Sequence, residues 1–396
     1  MSKSILMAWE LGSEIGHLSL FAELTRIFQA RGYKVVIAAR DLSRTHFFFR
    51  KLDVPVIQAP VWLYPVKMDR PVYCMADILL TKGYLFPTTL QNLVEAWQSM
   101  LTMIQPDLVI SEYAPTLRMA LRGPAIPDVV LGSGFAEPVP GLAMRDLRPV
   151  PHQDGVVSAQ EARLLETMNQ VLSDMGKPQL SCFGDLYKPN LTVLKTLPEL
   201  DCYKRVESTR YCLPVSRSKR PAAQWSQQPG KAKVFVYALP EHPQWQVLVD
   251  ALRRCHANVY LYSPGDRRKR LKPIDEDSFR LGIDVVNVYE SLQQADLFVC
   301  HGEMHNLIQA ISLGVPALVF PMNLEQLLNG LRYQRLGAGV CQQKVADSKA
   351  GSALIDQILV DDKLKNNAAQ LKVKADGYAQ QDAMEQVAEY CVDLLQ

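Results

Sequence analysis

The chain has 396 residues, which at about 150 residues per domain predicts two or three domains and excludes a single small core. Its hydrophobic fraction of 48% and charged fraction of 21% are those of a folded globular protein. The 43 Lys and Arg residues against 41 Asp and Glu give a formal net charge of +2, too small to make nucleic acid an expected partner.

Targeting and metal-binding signals are lacking in the sequence. The apolar stretch near the start stops at Glu10, too early for a signal peptide, and no run approaches the length of a membrane span. The 8 cysteines are scattered, without a C-x-x-C pair or a Cys/His cluster at zinc spacing. We therefore expect a cytoplasmic protein with reduced thiols and no bound metal.

Short runs rich in Val, Ile and Leu alternate with longer segments of helical period, the pattern of a parallel sheet with crossover helices. In chain order, the predicted strands are SILMAW, KVVIAAR, VPVIQAP, DLVISE, DVVLGS and LTVLKTL, then KVFVYA, NVYLYS, IDVVNVY, DLFVCH and PALVFP. The sequence thus predicts an α/β protein with two Rossmann-like, doubly wound parallel-sheet domains.

Composition also suggests where the domains divide. Residues 214–233 carry three prolines and no apolar periodicity, as expected of a linker between domains at 1–213 and 234–376. A helix within 377–396 has one apolar stripe and is expected to pack back across the domains. Ligands of such sheets bind at the carboxyl ends of strands, so we expect the site in the cleft between the two domains.

His17 follows the first predicted strand, at or near the start of the helix HLSLFAELTRIFQA. The helix dipole there disfavours imidazolium, which suits a neutral general base, although a histidine in a first turn can equally lack a function. Glu112 ends the strand DLVISE and either orients His17 or is a solvated surface group. The turn GSEIG lacks G-x-G-x-x-G spacing, which excludes a dinucleotide site.

The second domain has a comparable strand-to-helix turn. A strand is predicted to end at His301, and the backbone N–H groups of residues 302–306, opening a helix, are predicted to bind a diphosphate. In the next helix Asn323 and Gln326 have capping-box spacing, which offers a purely structural role for Gln326.

An aromatic-rich span between residues 62 and 86 has neither helical nor strand periodicity. It either lines an apolar acceptor pocket or covers the N-terminal core. The basic clusters at 216–220 and 267–272 are solvated faces or, alternatively, attract an anionic membrane surface, which leaves peripheral membrane contact open.

These residues resemble the UDP-sugar glycosyltransferases of GT-B fold, the family of UDP-glucuronosyltransferases and bacterial macrolide and flavonoid glycosyltransferases. The segment from His301 is similar to the pattern HGG-x-x-[ST]-x-x-E-A-L-x-x-GVP…P-x-x-x-[DE]Q, and the pair Gly16–His17 fits the start of the first helix. The resemblance covers both domains in order and is to a divergent bacterial branch. It implies an inverting, metal-independent transfer from a nucleotide-diphosphate sugar, with UDP expected, and no cofactor.

The resemblance gives the first domain the acceptor, an apolar small molecule or a lipid. His17 resembles the base that deprotonates an acceptor hydroxyl, and Glu112 falls near the acidic residue that orients it. The aromatic residues expected to contact the acceptor are Trp62, Tyr64, Tyr84, Phe86 and Phe135.

The resemblance gives the second domain the nucleotide-sugar donor. The residues implied in donor binding are His301, Gly302, Glu303, Asn306, Gln309, Glu325 and Gln326. The first four would hold the diphosphate, Gln309 sits where a glutamate usually binds ribose, and the last two match the pair that binds the donor sugar.

Three features depart from the family pattern. Glu303 replaces the second glycine and places a carboxylate beside the expected phosphates, and Gln309 lacks the charge of the usual glutamate. The segment VYALPEHP lacks the small residues that usually follow this strand. The departures fit a changed donor preference or, alternatively, a catalytically degenerate GT-B-fold protein that binds a ligand or partner.

Overall fold

The computed structural model describes residues 2–12, 16–64, 66–68, 70–148, 154–205, 209–214, 220–225, 228, 230–263, 271–378 and 383–396. The chain divides into two compact units. The first comprises Met1–Cys212 with Gln381–Gln396, and the second comprises Leu213–Gln380. Each unit contains one seven-stranded sheet within the part of the chain that is described.

The first unit is built on an all-parallel sheet. Its strands are β1 (Ser4–Trp9), β2 (Lys34–Ala39), β3 (Val56–Gln58), β4 (Leu108–Glu112), β5 (Asp128–Gly132), β6 (Leu191–Leu194) and β7 (Thr209–Tyr211). Their order is β3-β2-β1-β4-β5-β6-β7, and every neighbouring pair is parallel. The chain leaves β1 toward β2 on one side and returns to β4 on the other, so the topological switch point lies between β1 and β4.

The helices of the first unit precede and follow these strands. They are α1 (Gly16–Ala30), α2 (His46–Phe49), α3 (Met75–Leu80), α4 (Pro87–Ile104), α5 (Pro115–Leu121) and α6 (Val156–Asp174). Helix α1 buries Leu20, Phe21, Leu24 and Phe28 in one cluster with inward-facing strand residues, each burial worth about 1.5–3 kcal/mol. Gly32, with a φ of +83°, follows the end of this helix.

The second unit has a parallel sheet with one antiparallel edge. Its strands are β8 (Lys233–Tyr237), β9 (Asn258–Tyr262), β10 (Ile274–Asp275), β11 (Phe279–Gly282), β12 (Leu297–Cys300), β13 (Ala317–Val319) and β14 (Gly339–Cys341). Their order is β10-β11-β9-β8-β12-β13-β14, and the β10–β11 pair is antiparallel. The remaining helices are α7 (Trp245–Arg254), α8 (Val288–Leu292), α9 (Met304–Leu313), α10 (Leu324–Arg335), α11 (Ser348–Leu359), α12 (Asp362–Asp376) and α13 (Ala383–Asp393). The fold class predicted from the sequence, α/β with two parallel sheets, is confirmed.

The last helix packs on the first unit. Met384, Val387 and Cys391 of α13 lie in the same core cluster as the buried face of α1. An ion pair of 2.6 Å between Arg31 and Glu385 lies at this contact. The helix expected within 377–396 therefore begins at Ala383 in the described part of the chain, and its apolar residues pack on the core of the first unit.

The predicted strand IDVVNVY is wrong. Asn287, inside that segment, caps α8 by accepting the backbone N–H of Glu290 at 3.2 Å, so the chain turns into a helix there. The strand that pairs with β9 is β11, whose Phe279 and Leu281 alternate inward. The edge strands β7, β10 and β14 were not predicted from the sequence either.

Part of the predicted linker is packed. Trp225 is buried, its ring centroid lies 6.3 Å from that of Phe235, and its indole N–H donates to the carbonyl of Val234 at 3.4 Å. Most residues of the two basic clusters, 216–219 and 267–270, lie outside the described residues. No helix in the described ranges is both long and apolar enough to cross a bilayer.

Candidate active site

The carboxyl ends of β1 and β4 carry the first group of predicted residues. Trp9 and Glu112 are register partners at these two ends, so their side chains share one face of the sheet at the switch point. Helix α1 begins at Gly16 and brings the ring of His17 onto the Trp9 indole, with centroids 5.0 Å apart and planes 25° from parallel. The Trp9 indole is held in turn by its own N–H, which donates to the carbonyl of Leu11 at 2.5 Å.

His17 and Glu112, paired in the sequence analysis, lie together in the structure. Nδ1 of His17 is 2.7 Å from Oε1 of Glu112; the histidine side chain is 21% exposed and the glutamate 2%. An N–H on Nδ1 would not point directly at the carboxylate, so the contact lacks the geometry of a hydrogen bond. Such contacts commonly tighten when substrate binds. With Nδ1 facing the carboxylate, Nε2 is the nitrogen left for an acceptor.

Lys195 is a third member of this group. It follows β6, is buried, and its Nζ donates to the same Oε1 that faces His17. Burial alone would raise the pKa of Glu112, but the charges of Lys195 and His17 outweigh burial and lower that pKa to about 2. Glu112 is therefore ionised across the neutral range.

The loop beside Nε2 is fixed by backbone contacts. Gly12 has a φ of +88°, and a Cβ atom on it would lie 3.1 Å from Nε2 of His17. The guanidinium of Arg40 donates to the carbonyl of Gly12, and the N–H of Leu11 donates to the carbonyl of Tyr113 at 2.9 Å. Tyr113, directly after Glu112, has a φ of +47°, a region that residues other than glycine seldom adopt.

A second buried acid lies behind this loop. Glu10 accepts the backbone N–H groups of Thr116 at 2.9 Å and Leu117 at 3.3 Å, at the start of α5. Burial raises the pKa of Glu10 to about 7, although these hydrogen bonds act to lower it. The hydroxyl of Thr116 contacts both Glu10 and, at 2.6 Å, the hydroxyl of Tyr84.

The five predicted acceptor residues do not share one surface. Tyr84 is fully buried and Phe135 is 5% exposed, so both rings belong to the interior of the first unit. Trp62 is half-buried against Gly83, while Tyr64 and Phe86 are 74% and 58% exposed. The rings of Trp62 and Tyr64 meet edge to face with centroids 5.8 Å apart. Only Trp62, Tyr64 and Phe86 are placed where an external molecule could contact them.

In the second unit, His301 follows β12 and is fully buried. Its Nε2 accepts the backbone N–H of Leu239 at 2.9 Å, and Nδ1 lies 2.9 Å from the carbonyl of Phe320. These partners assign the proton to Nδ1, and burial lowers the pKa of His301. His242 stacks on it at 5.2 Å, and burial lowers the pKa of His242 to about 4. His301 is thus a neutral ring whose nitrogens both serve the fold, and its side chain is not presented to a phosphate.

Gly302, two residues after β12, packs closely against Gln326 of α10. Its φ is +97°, and a Cβ atom there would lie 2.8 Å from both the carbonyl oxygen of Gln326 and a methyl carbon of Val319. Its own carbonyl accepts the side-chain amide of Asn329 at 3.0 Å. The position therefore requires glycine.

Glu303, Asn306 and Gln326 are joined to one another. Oε1 of Glu303 accepts the amide of Gln326 at 3.0 Å, and the Asn306 amide lies 3.5 Å from Oε2. Burial raises the pKa of Glu303 to about 7. Asn323 caps α10 by accepting the backbone N–H of Gln326, but the Gln326 side chain accepts from Met322 at 2.8 Å instead of completing a capping box.

The other two predicted donor residues differ in exposure. Gln309 is 2% exposed, and its amide lies 3.5 Å from the carbonyl of His305 one turn earlier. Glu325, in the first turn of α10, is half-buried and is therefore more accessible to a ligand.

Comparison with known proteins bears on both units. Residues 246–394 match the sequence profile of the erythromycin biosynthesis protein CIII-like C-terminal domain. A PGL/p-HBAD biosynthesis glycosyltransferase of Mycobacterium tuberculosis is 24% identical over 317 residues, which cover 74% of this chain and 72% of that protein. The solved glycotransferase of kitacinnamycin has the same fold, with a TM-score of 0.70 at 18% identity over the whole of both chains.

The chain is a GT-B-fold glycosyltransferase. Spinosyn rhamnosyltransferase SpnG, solved with thymidine diphosphate, is also similar in fold, with a TM-score of 0.69 at 16% identity over 98% of this chain and all of that one.

In this glycosyltransferase, the structure brings together one predicted pair and adds one residue to it. His17 and Glu112 are in contact, and Lys195 joins them although the sequence analysis did not single it out. The available signal was a lysine inside the apolar run LTVLKTL, which a buried strand end tolerates only beside an opposite charge.

Proposed function

We propose that this glycosyltransferase moves a sugar from a nucleoside-diphosphate donor to the hydroxyl of an apolar small molecule, with His17 as the general base. The observation that carries the proposal is the 2.7 Å contact between His17 and the buried, ionised Glu112 at the switch point of the first sheet. A base held by a carboxylate and open on its other nitrogen is the arrangement needed to activate a hydroxyl.

The reaction follows from the two ring nitrogens. Nε2 of His17 takes the proton of the acceptor hydroxyl as its oxygen attacks the anomeric carbon. The bond from that carbon to the diphosphate oxygen breaks in the same step, so the product has the opposite anomeric configuration. Glu112 stabilises the imidazolium that forms, and general-base assistance of this kind is worth about 10²–10⁴-fold in rate. No metal takes part in this scheme.

The acceptor is proposed to lie on the first unit, where Trp62, Tyr64 and Phe86 offer aromatic surface. Exposed rings bind apolar ligands by burying their faces, which favours an apolar acceptor, whether a small molecule or a lipid. The spinosyn rhamnosyltransferase has also been solved with spinosyn aglycone, which supports a small-molecule acceptor here.

The donor is proposed to bind the second unit at the start of α9, a helix of 10 residues. The positive end of its dipole stabilises the departing diphosphate. Glu325 is proposed to contact the donor sugar. The thymidine diphosphate bound to the spinosyn enzyme supports a nucleoside diphosphate, and UDP and TDP are the two nucleotides to test.

Thermal unfolding of the whole chain with added nucleotides tests donor binding. A ligand present at about 100 times its dissociation constant adds about 2.7 kcal/mol to the stability of the folded state. We expect a higher melting temperature with UDP or TDP and little change with UMP or TMP, because the second phosphate carries the contact with α9. Equal shifts with mono- and diphosphates, or no shift with any of them, would contradict the proposed donor site.

A further inference from the structure

Two segments of the first unit, one after β3 and one between α3 and α4, pack against each other. The backbone N–H of Val66 donates to the carbonyl of Thr81 at 3.4 Å. Gly83 lies against Trp62, because a Cβ atom on this glycine would be 3.2 Å from the Cβ atom of the tryptophan. The indole N–H of Trp62 also donates to the carbonyl of Tyr64. The two segments therefore form one continuous surface.

Large apolar side chains are exposed on both segments. Leu63 and Tyr64 are each 74% exposed, Phe86 is 58% exposed and Val66 is 40% exposed. Single exposed apolar residues are ordinary on a protein surface, but a group of them on adjacent segments marks an interaction surface. We call these four residues the apolar patch.

The free charges beside the apolar patch are positive. Lys67 and Lys82, one on each segment, have no hydrogen bond or ion pair within the described residues. Burial, and after it the charge of Arg40, lowers the pKa of Lys82, so a further cation lies near it. Asp77, the acid in the described part of 59–86, is buried and paired with Arg70 at 2.5 Å. It therefore does not offset the two lysines.

This combination is complementary to the surface of an anionic bilayer. Tyrosine and tryptophan rings favour the boundary between water and hydrocarbon, and leucine, valine and phenylalanine side chains lose apolar surface to water there. Lysine side chains are attracted by the phosphate groups of anionic lipids. Four partly exposed side chains offer less area than the roughly 800 Å² that a stable protein interface buries on each partner, whereas insertion into a bilayer needs no matching surface.

We propose that the apolar patch, with Lys67 and Lys82, is a docking surface for an anionic lipid bilayer. The apolar side chains enter the headgroup layer, and the two ammonium groups contact lipid phosphates. Tyr64 and Phe86 are also proposed to contact the acceptor, so docking would bring a lipid acceptor to the first unit. That last step rests on the proposed function, but the docking does not.

Sedimentation of the whole chain with lipid vesicles tests the docking without any turnover. One set of vesicles contains phosphatidylcholine alone, and the other contains phosphatidylcholine and phosphatidylglycerol in equal parts. We expect binding to be at least about tenfold tighter to the anionic vesicles and to weaken at high salt, because salt screens exposed charges.

Variants of the surface identify the side chains responsible. Leu63→Ser combined with Val66→Ser should weaken binding to the anionic vesicles about tenfold, because apolar area no longer enters the bilayer. Neither residue is proposed to contact the acceptor, so this loss is distinguishable from a loss of acceptor binding. Lys67→Gln and Lys82→Gln should each weaken binding about fivefold.

Matched controls lie elsewhere on the chain. Met103 is 75% exposed and lies about 24 Å along α4 from Pro87, so Met103→Ser removes a comparable apolar side chain away from the apolar patch. Lys363→Gln removes an exposed lysine from the second unit. Both controls should bind vesicles as the wild type does, and so should His17→Ala, which separates docking from the proposed sugar transfer.

Several results would overturn the proposal. These are equal binding to neutral and anionic vesicles, no binding to either, wild-type binding by the apolar-patch and lysine variants, or an equal loss of binding in the control variants. Dimerisation that depends on protein concentration, without vesicle binding, would assign the apolar patch to a second copy of this chain instead.

Discussion

Lys195 donates its hydrogen bond to the same oxygen of Glu112 that lies 2.7 Å from Nδ1 of His17. One buried carboxylate thus serves two cationic partners. Lys195 keeps Glu112 ionised in spite of its burial. The charge of the carboxylate that faces His17 therefore depends on Lys195.

Replacing Lys195 tests this dependence. In Lys195→Met the carboxylate of Glu112 loses its strongest cationic neighbour, so burial raises its pKa above the wild-type value. We expect the acidic limb of the kcat/KM profile to move to higher pH because Glu112 becomes protonated there, with reduced thermal stability because Glu112 has lost a buried partner. Lys195→Arg, which keeps the cation, should retain a profile near that of the wild type. An unchanged acidic limb in the methionine variant would show that Lys195 does not keep Glu112 ionised.

Gly12 and Gly32 form a matched pair for the loop beside Nε2. Both have positive φ, +88° and +83°, but a Cβ atom would contact Nε2 of His17 only at Gly12 and meets nothing within 4 Å at Gly32. Alanine at either site should cost about 1 kcal/mol or more of stability. We expect kcat/KM to fall at least tenfold in Gly12→Ala and to stay near wild type in Gly32→Ala, measured at a temperature where both are folded. Equal activity of the two variants would contradict the placement of Nε2.

Replacing His301 should lower thermal stability, whereas replacing His17 should not. His301 is fully buried with both nitrogens bonded to backbone, whereas His17 is 21% exposed. His301→Ala leaves a buried N–H and a buried carbonyl unpaired, at about 1–3 kcal/mol each, and should lower the melting temperature clearly. His17→Ala should leave it nearly unchanged. Calorimetric unfolding of both variants measures these melting temperatures. A lower melting temperature for His17→Ala than for His301→Ala would contradict the structural role of His301.

Glu303 is expected to make the proposed nucleotide binding sensitive to pH. Its pKa rises from 4.5 to about 7 on folding because it is buried, so the folded chain holds an extra proton between these values and stability falls as pH rises through that window. Above about pH 7 the carboxylate is ionised and repels the proposed diphosphate. Glu303→Gln should therefore bind UDP or TDP about as the wild type does at pH 6 and about tenfold more tightly at pH 8.

The control for Glu303 is Glu276→Gln, which removes one exposed carboxylate from the second unit at the Arg253 ion pair. Comparing variants at the same pH cancels the titration of the nucleotide itself. If Glu276→Gln improved binding as much as Glu303→Gln, net charge rather than the local carboxylate would be responsible.

The sequence predicted the structure correctly where hydrophobic pattern and the positions of strand ends determine it. The run SILMAW became β1 at Ser4–Trp9, and the helix after it placed His17 beside the end of DLVISE, where Glu112 lies. Lys195 stood out as a lysine in an apolar run, but its contact with Glu112 could not be predicted because β5 separates β6 from β4 and strand spacing does not give the order of strands. Tyr84 was misleading because an aromatic span without periodicity does not reveal which rings face inward.

In the second unit, the sequence predicted the residue that caps α10 but not the tertiary contact of the Gln326 side chain. Asn323 caps the helix as the spacing suggested, whereas the Gln326 side chain bonds to Glu303, 23 positions earlier in the chain. Likewise, IDVVNVY has the apolar alternation of a strand, but the Asn287 side chain accepts the backbone N–H of Glu290 and starts a helix there. In both cases a hydrogen bond to one specific partner decided the structure, and hydrophobic pattern does not encode that partner.

The most direct measurement is acceptor-dependent release of nucleoside diphosphate by the wild type and by His17→Ala, over a panel of UDP- and TDP-sugars with phenolic and aliphatic alcohols. We expect the wild type to release diphosphate with at least one pair and His17→Ala to release it about 10²–10⁴-fold more slowly. The variant should still be stabilised by the diphosphate. Turnover by His17→Ala at the rate of the wild type would contradict the assignment of His17 as the base.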